Sequence, residues 1–402
     1  MARPDEAGTR AAILGDRSLF PNLQAVAYCN HAGISPASLP VEQAVQQVLA
    51  DYGREGMGAY PTWHARRERL RESCAALIGA GADDIALTPG TTRGVSDIAL
   101  SLPWRAGDRV VLFTGEFPTN VTPWQCAART FDLELVWLCA QDFETDRGLS
   151  ELTSVLRRGA RLVAVSAVQF QTGLCMPLEQ IGQLCREHGT ELFVDAIQAL
   201  GIVPFDVERA HVDYLSSGGH KWLMGFEGAG FMYVRRECAS ALIPRVAGWR
   251  SHEDSEVFLR LGKGHLRYDR PLLASARVFE SSAQNVLGCA ALEASLELLL
   301  GLGVEHVFEH VQRYHDRLEP ELVARGFESL RSRDRGGRSG ILSLNVPDGI
   351  DPVVLQRELM GAGVSCSVPD GLLRFAPHWP NHTSEVPRIL ERVDTALSHQ
   401  RR

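Results

Sequence analysis

The segment HVDYLSSGGHKWLMGFEGAGFMYV, residues 211–234, places two short apolar stretches on either side of a loop rich in glycine and serine. Lys221 lies in this loop, between His220 and Trp222. Short apolar stretches bounded by glycine and serine are typical of β-strands. The segment by itself leaves two interpretations open. The lysine is either a solvated residue of a surface loop, or it is held between two strands for its chemistry.

Six apolar stretches predict the strands of one sheet. They are residues 108–115, 134–140, 161–170, 191–197, 212–217 and 230–236. Most are apolar nearly throughout, as expected for strands that are covered on both faces. Amphipathic segments lie between them, such as PLEQIGQLCREHG at 177–189, which starts at a proline and stops at a glycine. This alternation predicts an α/β fold, with a mostly parallel central sheet flanked by helices.

The pattern changes after residue 280, where two long helical segments are followed by isolated strands at GILSLNVP and GLLRFAPH. This arrangement predicts a smaller C-terminal α+β domain. We therefore divide the chain into an N-terminal segment (1–25), a large domain (26–284) and a small C-terminal domain (285–402). A predicted helix at 285–300 could bridge the two domains.

Composition and charge argue against several classes of protein. The chain has 402 residues, of which 45% are hydrophobic, and a net charge of −8, so no basic surface for nucleic acid is expected. No apolar stretch approaches the roughly 18 residues of a membrane helix, and the N-terminus does not resemble a signal peptide. The nine cysteines form no C-x-x-C pair and no Cys/His cluster, which predicts neither disulfides nor a metal site. We expect a cytoplasmic protein.

Polar and aromatic residues follow several predicted strands, at the edge where parallel α/β sheets bind ligands. Thr91 and Thr92 begin a helix after a glycine and either form a phosphate cradle or cap the helix. Asp195 ends a strand and either caps the next helix or pairs with a protonated ring nitrogen. Phe117 either stacks on a flat ring or packs in the core. Lys221 becomes a nucleophilic amine if it is desolvated.

Taken together, these residues supply a phosphate cradle, an aromatic face, an acid for a ring nitrogen, a hydroxyl partner in Gln198 and an amine. That set is the one that pyridoxal phosphate requires when a lysine binds it as a Schiff base. A hydrolase is not supported, because no G-x-S-x-G motif is present.

With these motifs, the chain resembles the fold-type I pyridoxal-phosphate enzymes of the class V aminotransferase family. This family includes cysteine desulfurases, selenocysteine lyases, isopenicillin N epimerase, kynureninase and small aminotransferases. The resemblance extends from AYCNHAGISP (27–36) to LLRFAPHWPN (372–381). It implies the family's two-domain fold, a Schiff base at Lys221, and a homodimer whose two subunits share their active sites.

The resemblance also implies roles for individual residues. The catalytic residues would be Lys221, Asp195 and His220. The cofactor would contact Thr91, Thr92, Phe117, Asp195, Gln198, Ser217, His220 and Lys221, and Ser282 would reach the phosphate of the partner subunit's cofactor. Arg374 matches the arginine that binds the substrate carboxylate, and we expect Asn30, Gln169, Tyr60 and Trp63 to contact the substrate as well. Tyr60 and Trp63 could equally pack at a dimer interface.

The sequence departs from the desulfurases at two positions that bear on the reaction. Phe117 replaces their ring-stacking histidine, and Cys366 lies in a short loop without the motif of their nucleophilic cysteine, so we expect Cys366 to be structural. We therefore expect a lyase that cleaves a C–S bond of a cysteine-like amino acid by β-elimination, without a persulfide on the enzyme. The alternatives are an aminotransferase, an epimerase-like or kynureninase-like enzyme, and a degenerate homologue that acts only as a partner protein.

Overall fold

The computed structural model describes residues 11–401. The strands are β1 (Ala27–Tyr28), β2 (Ile85–Thr88), β3 (Arg109–Thr114), β4 (Glu134–Cys139), β5 (Leu162–Ser166), β6 (Glu191–Asp195), β7 (Tyr214–Gly218), β8 (Gly230–Val234), β9 (Glu328–Ser329), β10 (Leu342–Asn345), β11 (Val364–Ser365) and β12 (Leu373–Phe375). The α-helices are α1 (Leu39–Glu55), α2 (Tyr60–Ile78), α3 (Thr91–Ser101), α4 (Thr122–Phe131), α5 (Asp146–Arg157), α6 (Leu178–Glu187), α7 (Arg236–Ala239), α8 (Val286–Leu302), α9 (Val304–Val323), α10 (Pro352–Gly361) and α11 (Val386–Gln400).

A seven-stranded sheet in the order β2-β8-β7-β6-β5-β3-β4 forms the centre of the molecule. The five strands from β7 to β4 are parallel, and every residue of β5, β7 and β8 is buried. The predicted α/β fold with a mostly parallel sheet is therefore confirmed. All six predicted strands are present, and β2 is an additional strand that the sequence pattern did not indicate.

Strand β8 runs antiparallel to both of its neighbours, β7 and β2. Its connection to β7, residues 219–229, is shorter than the dozen or so residues that a parallel crossover needs. As a result, the start of β8 lies at the same edge of the sheet as the end of β7, with Gly230 paired to Gly218. Thr88, the last residue of β2, also pairs with Gly230. The loop before α3 and the loop that carries Lys221 therefore meet at one edge.

A smaller C-terminal unit contains the antiparallel sheet β12-β10-β9 and its own hydrophobic core. Strand β1 pairs in parallel with β11, and Ala27 and Cys29 pack in the core of this unit. These residues thus pack with the small domain, although the sequence-based division placed them in the large one. The reason is tertiary, because their main-chain partner is more than 300 residues away in the chain.

Helix α8 connects the two units. It packs along α1 and α2, and its residues Leu292, Leu296 and Leu299 are buried in the core of the large domain. Within residues 11–401, no single helix is long and apolar enough to cross a membrane. Helices α8 and α9 reach that length and composition only when they are joined, and their axes meet at 78°.

Candidate active site

A cavity of about 630 Å³ opens at the edge of the sheet where the parallel strands end. Six of the residues predicted from the sequence line it, contributed by four separate segments of the chain: Thr91, Thr92, Phe117, Asp195, His220 and Lys221. The structure thus brings together an amine, a carboxylate, an aromatic ring and the start of a helix. It does so because the segments that carry them follow β2, β3, β6 and β7, whose carboxyl ends lie at the same edge of the sheet.

Lys221 points over the face of Phe117, with its Nζ 5.4 Å from the centre of the ring. The pKa of the Lys221 amine is lowered to about 8, chiefly by burial; the charge of Asp195 opposes this shift, and the positive charge of Arg374 contributes to it. A lysine with this pKa is partly neutral at neutral pH, and only the neutral amine is a nucleophile. The buried position therefore favours chemistry at this lysine over the solvated surface loop.

Asp195, the last residue of β6, is 3% exposed. Its Oδ1 accepts a hydrogen bond from the backbone N–H of Ile197 at 3.1 Å, and within residues 11–401 its Oδ2 has no hydrogen-bond donor. Burial raises the pKa of Asp195 to about 6, and the charge of Lys221 opposes this shift. A buried carboxylate with one free oxygen is suited to a cationic N–H group.

Helix α3 begins in the cavity at Thr91. The Thr91 hydroxyl is buried and, among the described residues, has no hydrogen-bond partner. The Thr92 hydroxyl lies 2.8 Å from that of Thr119. A Cβ atom on Gly94 would lie 2.2 Å from the Ser216 hydroxyl oxygen. Glycine at this position therefore lets the helix pack directly on β7, with its free N–H groups at the cavity.

His220 and Ser217 lie on the segment that leads into Lys221. His220 lines the cavity, and burial, followed by the charge of Lys221, lowers the pKa of its imidazole. Ser217 is a residue of β7 that is 1% exposed, and its hydroxyl donates to the Gly218 carbonyl at 3.3 Å. Ser217 does not line the cavity.

Gln198 does not line the cavity either. Its Oε1 accepts from the Trp222 indole at 2.8 Å, and its Nε2 donates to the Ala32 carbonyl at 3.1 Å. The second hydrogen of Nε2 and the second lone pair of Oε1 are left for a ring hydroxyl. Ser282 lines a separate cavity of about 100 Å³ that adjoins the first and shares Arg93 with it.

Arg374, on β12, is 6% exposed. Its Nη1 donates to the Phe170 carbonyl at 2.6 Å, and its Nε donates to the Ser367 hydroxyl at 3.0 Å. Within residues 11–401 its side-chain partners are this carbonyl and this hydroxyl, with no carboxylate among them, and burial lowers its pKa to about 10. A buried guanidinium without a counter-ion is suited to bind a carboxylate from outside the chain.

The other predicted substrate contacts are more dispersed. The Asn30 Oδ1 atom is buried and has no hydrogen-bond partner among residues 11–401. Tyr60 donates to Glu256 at 2.6 Å. Trp63 is 6% exposed and packs against Tyr52, with ring centroids 4.2 Å apart. Both aromatic residues lie at the start of α2, and neither lines the cavity of this chain.

Glu116 is a site residue that the sequence reasoning missed. Its carboxylate accepts from the Ser166 backbone N–H at 2.7 Å, from the Ser166 hydroxyl, and from Gln169 at 3.3 Å. Burial raises its pKa to about 7, with Asp195 adding to the shift and the Ser166 bonds opposing it. The contact ties the loop that carries Phe117 to the end of β5. The only signal in the sequence was its position directly before Phe117.

Cys366 is 1% exposed, and burial raises the pKa of its thiol to about 12. It is therefore protonated and inaccessible, unlike a nucleophilic cysteine.

Among the described residues, no group of three or more His, Cys, Asp or Glu side chains could hold a metal ion.

The residues in the cavity fit pyridoxal phosphate. This group requires an amine, an anion site, a flat apolar face and an acid for its ring nitrogen. Lys221, the unpartnered Thr91 hydroxyl at the start of α3, Phe117 and the free oxygen of Asp195 supply these features in one cavity.

Comparison with known proteins identifies the family. Residues 28–371 match the family described as Aminotransferase class-V. The chain is similar to "Uncharacterized aminotransferase YcbU" of Bacillus subtilis, at 25% identity over 96% of this chain and 98% of that protein. It is also similar to "Probable cysteine desulfurase" of Pyrococcus abyssi, at 26% identity over 93% of this chain and 95% of that protein.

Solved structures share the fold. The cystine C-S lyase C-DES, in a complex with its reaction product cysteine persulfide, has a TM-score of 0.83 at 21% identity, covering 92% of this chain and 97% of that one. A C-DES mutant with glycine covalently linked to the PLP cofactor has a TM-score of 0.85 at 23% identity, covering 94% and 98%. At these identities the likeness shows the fold alone.

Proposed function

The chain belongs to the class-V aminotransferase family, and from that premise we propose that it is a pyridoxal-phosphate-dependent enzyme that cleaves the C–S bond of a cysteine-like amino acid. The observation that carries the proposal is the cavity in which a lysine of lowered pKa faces Phe117 and Asp195. In this proposal Lys221 forms the covalent bond to the cofactor. Thr91, Thr92, His220 and the start of α3 bind its phosphate.

Each polar residue has a task in the reaction. When bound, pyridoxal phosphate supplies an electron sink for negative charge at the substrate Cα. Asp195 holds the proton on the ring nitrogen, because its free oxygen is a buried acceptor. Arg374 binds the substrate carboxylate and so orients the α-proton towards Lys221. The Lys221 amine, which is partly neutral at neutral pH, would remove that proton as a general base.

Elimination then breaks the bond between Cβ and sulfur. The sulfur leaves with the electron pair of that bond and is released as a thiol or as sulfide. Hydrolysis of the remaining fragment gives pyruvate and ammonia. The protonated, buried thiol of Cys366 supports a reaction in which no enzyme cysteine accepts the sulfur. The 26% identity to a relative named as a probable cysteine desulfurase supports a sulfur-containing substrate.

An aminotransferase is the second candidate, and the similarity to YcbU, which is named an aminotransferase, favours it. Both reactions begin with removal of the α-proton by Lys221. They differ in where the next proton is added and in whether a leaving group departs from Cβ.

We also propose a homodimer that shares its active sites. The segment 243–272 carries large apolar side chains that are 45–89% exposed in the described chain: Ile243, Trp249, Leu259, Leu261, Leu266 and Tyr268. A second copy of the chain would bury them. Ser282 lines the adjoining cavity, and the carbonyl of its neighbour Ser281 accepts from the Arg250 backbone N–H of this segment at 3.3 Å. The nine free thiols support a reducing compartment, and we propose the cytoplasm.

Product analysis tests the proposed reaction. The protein is incubated with pyridoxal phosphate and with cysteine, cystine or a cysteine S-conjugate, and the products are identified by mass spectrometry. Pyruvate is the expected result with each substrate, together with sulfide from cysteine, a persulfide from cystine or a thiol from the S-conjugate. A keto acid that retains the sulfur, together with pyridoxamine phosphate, would instead establish transamination. A protein that binds no pyridoxal phosphate would contradict both reactions.

A further inference from the structure

The backbone around Lys221 is held by two distant segments of the chain. Three consecutive carbonyl groups, those of residues 220, 221 and 222, each accept a hydrogen bond from outside their own loop. The Ser35 backbone N–H donates to the His220 carbonyl at 2.9 Å, and the Ser35 hydroxyl donates to the Lys221 carbonyl at 2.6 Å. His378 Nε2 donates to the Trp222 carbonyl at 2.8 Å. Hydrogen bonds from two separate segments therefore hold the main chain at Lys221 and at the residues before and after it.

The hydrogen-bond directions at Ser35 follow from its chemistry. A serine hydroxyl has one hydrogen, and the Lys221 carbonyl can only accept, so that hydrogen belongs to the bond between them. His31 Nδ1 lies 2.7 Å from the same hydroxyl oxygen. Nδ1 must therefore carry a hydrogen and donate it to Ser35. His31 thus donates to Ser35, and Ser35 donates to the Lys221 carbonyl.

These groups are buried, so the arrangement persists across the physiological pH range. His31 is 0% exposed and Ser35 is 6% exposed. Burial, followed by the charge of His378, holds the pKa of His31 well below its usual value. Neutral His31 with its hydrogen on Nδ1 leaves Nε2 as a buried lone pair, which has no partner among residues 11–401.

The loop that carries Lys221 also packs closely against neighbouring segments. A Cβ atom on Gly201, whose φ is +95°, would lie 2.5 Å from the Trp222 carbonyl oxygen. The Trp222 indole donates to Gln198, which in turn donates to Ala32, three residues before Ser35. With the main chain held, movement of the lysine is restricted to rotations of its own side chain.

We propose that Ser35, oriented by His31, is a positioning residue that holds the backbone of Lys221 and so directs its amine at the cofactor and at the substrate α-proton. This inference rests on the proposed function, because it assigns Lys221 the covalent bond to the cofactor. Ser35 touches neither the cofactor cavity nor the amine itself. It acts through the Lys221 carbonyl, whose one other donor among residues 11–401 is the Met224 backbone N–H at 2.9 Å.

The chain offers a matched control for a substitution of Ser35. Ser38 lies three residues further on, is 3% exposed, and has a buried hydroxyl with no hydrogen-bond partner among the described residues. Ser35→Ala and Ser38→Ala both remove a buried hydroxyl from the same segment, but only the first removes a bond to Lys221. Ser35→Thr keeps the hydroxyl and is the conservative variant.

The experiment uses the full chain and has one readout without cofactor and one with it. In the first, the protein is acetylated competitively at a series of pH values, and the two lysines of the chain, Lys221 and exposed Lys263, are quantified by peptide mass spectrometry. In the second, pyridoxal phosphate is added and the rate of covalent attachment is followed by absorbance.

Ser35→Ala is expected to raise the pKa of Lys221 and to slow attachment about fivefold, the effect of one ordinary hydrogen bond. Ser35→Thr should restore both readouts, and Ser38→Ala should match the wild type. A Ser35→Ala protein with wild-type titration and attachment would overturn the proposal, as would an equal effect from Ser38→Ala.

Two further outcomes are also decisive. If Ser35→Ala does not fold, His31→Phe keeps a planar ring but removes the donor to Ser35, and an unchanged Lys221 titration in that variant overturns the proposal. If the wild-type chain attaches no pyridoxal phosphate, the proposed function fails. In that case the cofactor-free titration still decides whether Ser35 positions Lys221.

Discussion

The Lys221 Nζ atom lies 5.4 Å from the centre of the Phe117 ring, on the face that the ring presents to the cavity. These two residues are 104 positions apart in the chain (221 − 117), on loops that follow different strands of the sheet. A flat ring stacked on Phe117 would thus have the lysine amine beside it. This geometry leads to specific expectations for the lysine.

Covalent labelling should occur at one lysine. Because the chain contains only Lys221 and Lys263, reduction with borohydride in the presence of pyridoxal phosphate should mark the peptide that contains Lys221. Lys221→Ala should abolish this labelling and the yellow absorbance, whereas Lys263→Ala should change neither. Peptide mass spectrometry checks the result, and a stable modification at Lys263 alone would contradict the assignment.

Cofactor attachment should depend on pH. Burial lowers the pKa of Lys221 to about 8, and only the neutral amine attacks the cofactor aldehyde. The attachment rate should therefore rise with pH through about 8 and then level off. Since Asp195 opposes the lowering of this pKa, Asp195→Asn should shift the curve to lower pH. Stopped-flow absorbance measures the rates, and a curve that rises only near pH 10 would contradict the desolvated environment.

Asp195→Asn should make the cofactor-free protein more stable at high pH. Burial raises the pKa of Asp195 to about 6 in the folded state, above its unfolded value. The folded state therefore binds this proton more tightly, and the contribution of Asp195 to stability falls as pH rises from about 4 to about 6. The amide has no charge to desolvate, so we expect a gain of about 2 kcal/mol in unfolding free energy at pH 8.

Urea denaturation of both proteins at pH 4 and pH 8 checks this expectation. The gain should vanish at pH 4, where Asp195 is protonated in the folded wild type. Turnover should be lost in the same variant, because the ring nitrogen loses its acidic partner. If the variant were less stable than the wild type at pH 8, the Asp195 carboxylate would have to be stabilised by folding, and the expectation would be wrong.

Cys366 should be dispensable. Its thiol is buried, and its pKa is raised to about 12, so Cys366→Ser should retain turnover to within about threefold, whereas loss of a nucleophilic thiolate would abolish it. Iodoacetamide should label the exposed Cys126 and Cys139 but not Cys366. Loss of sulfur release in the variant, with its folding unchanged, would instead indicate a persulfide on the enzyme.

Arg374→Gln should impair substrate use without comparable loss of stability. Hydrogen bonds to charged groups contribute about 1.5–3 kcal/mol, so we expect kcat/KM to fall roughly 10- to 100-fold. Arg331 is the matched control, because its buried guanidinium already pairs with Asp316 and Glu319. Arg331→Gln should lower the melting temperature but leave KM unchanged. Steady-state kinetics and thermal unfolding of both variants separate the two effects.

Local sequence patterns were sufficient for six of the seven strands of the central sheet and for the residues that follow several of them. Buried parallel strands are apolar along their whole length, so their positions can be found without knowledge of their partners. The residues that follow them, such as Asp195 and Lys221, then converge because parallel strands end at one edge. The matching motifs also identified the family, which the comparison confirms.

Other features depend on contacts between distant segments. In the sequence, the aromatic ring of Trp63 is as suitable for a pocket as that of Phe117. The packing of α2 places Trp63 against Tyr52 instead. The Gln198 amide is engaged by Trp222 and Ala32, and no periodic pattern indicates such a pairing.

By itself, the sequence determined the α/β fold, the family and the lysine, because each depends on local periodicity or on a contiguous motif. Only the tertiary structure decided that Glu116 anchors the loop of Phe117 and that Ser35 binds the Lys221 carbonyl. Those contacts join residues 50 and 186 positions apart. The physical reason is that a buried hydrogen bond needs a partner of the right kind, wherever in the chain that partner lies, and packing alone determines which one is near.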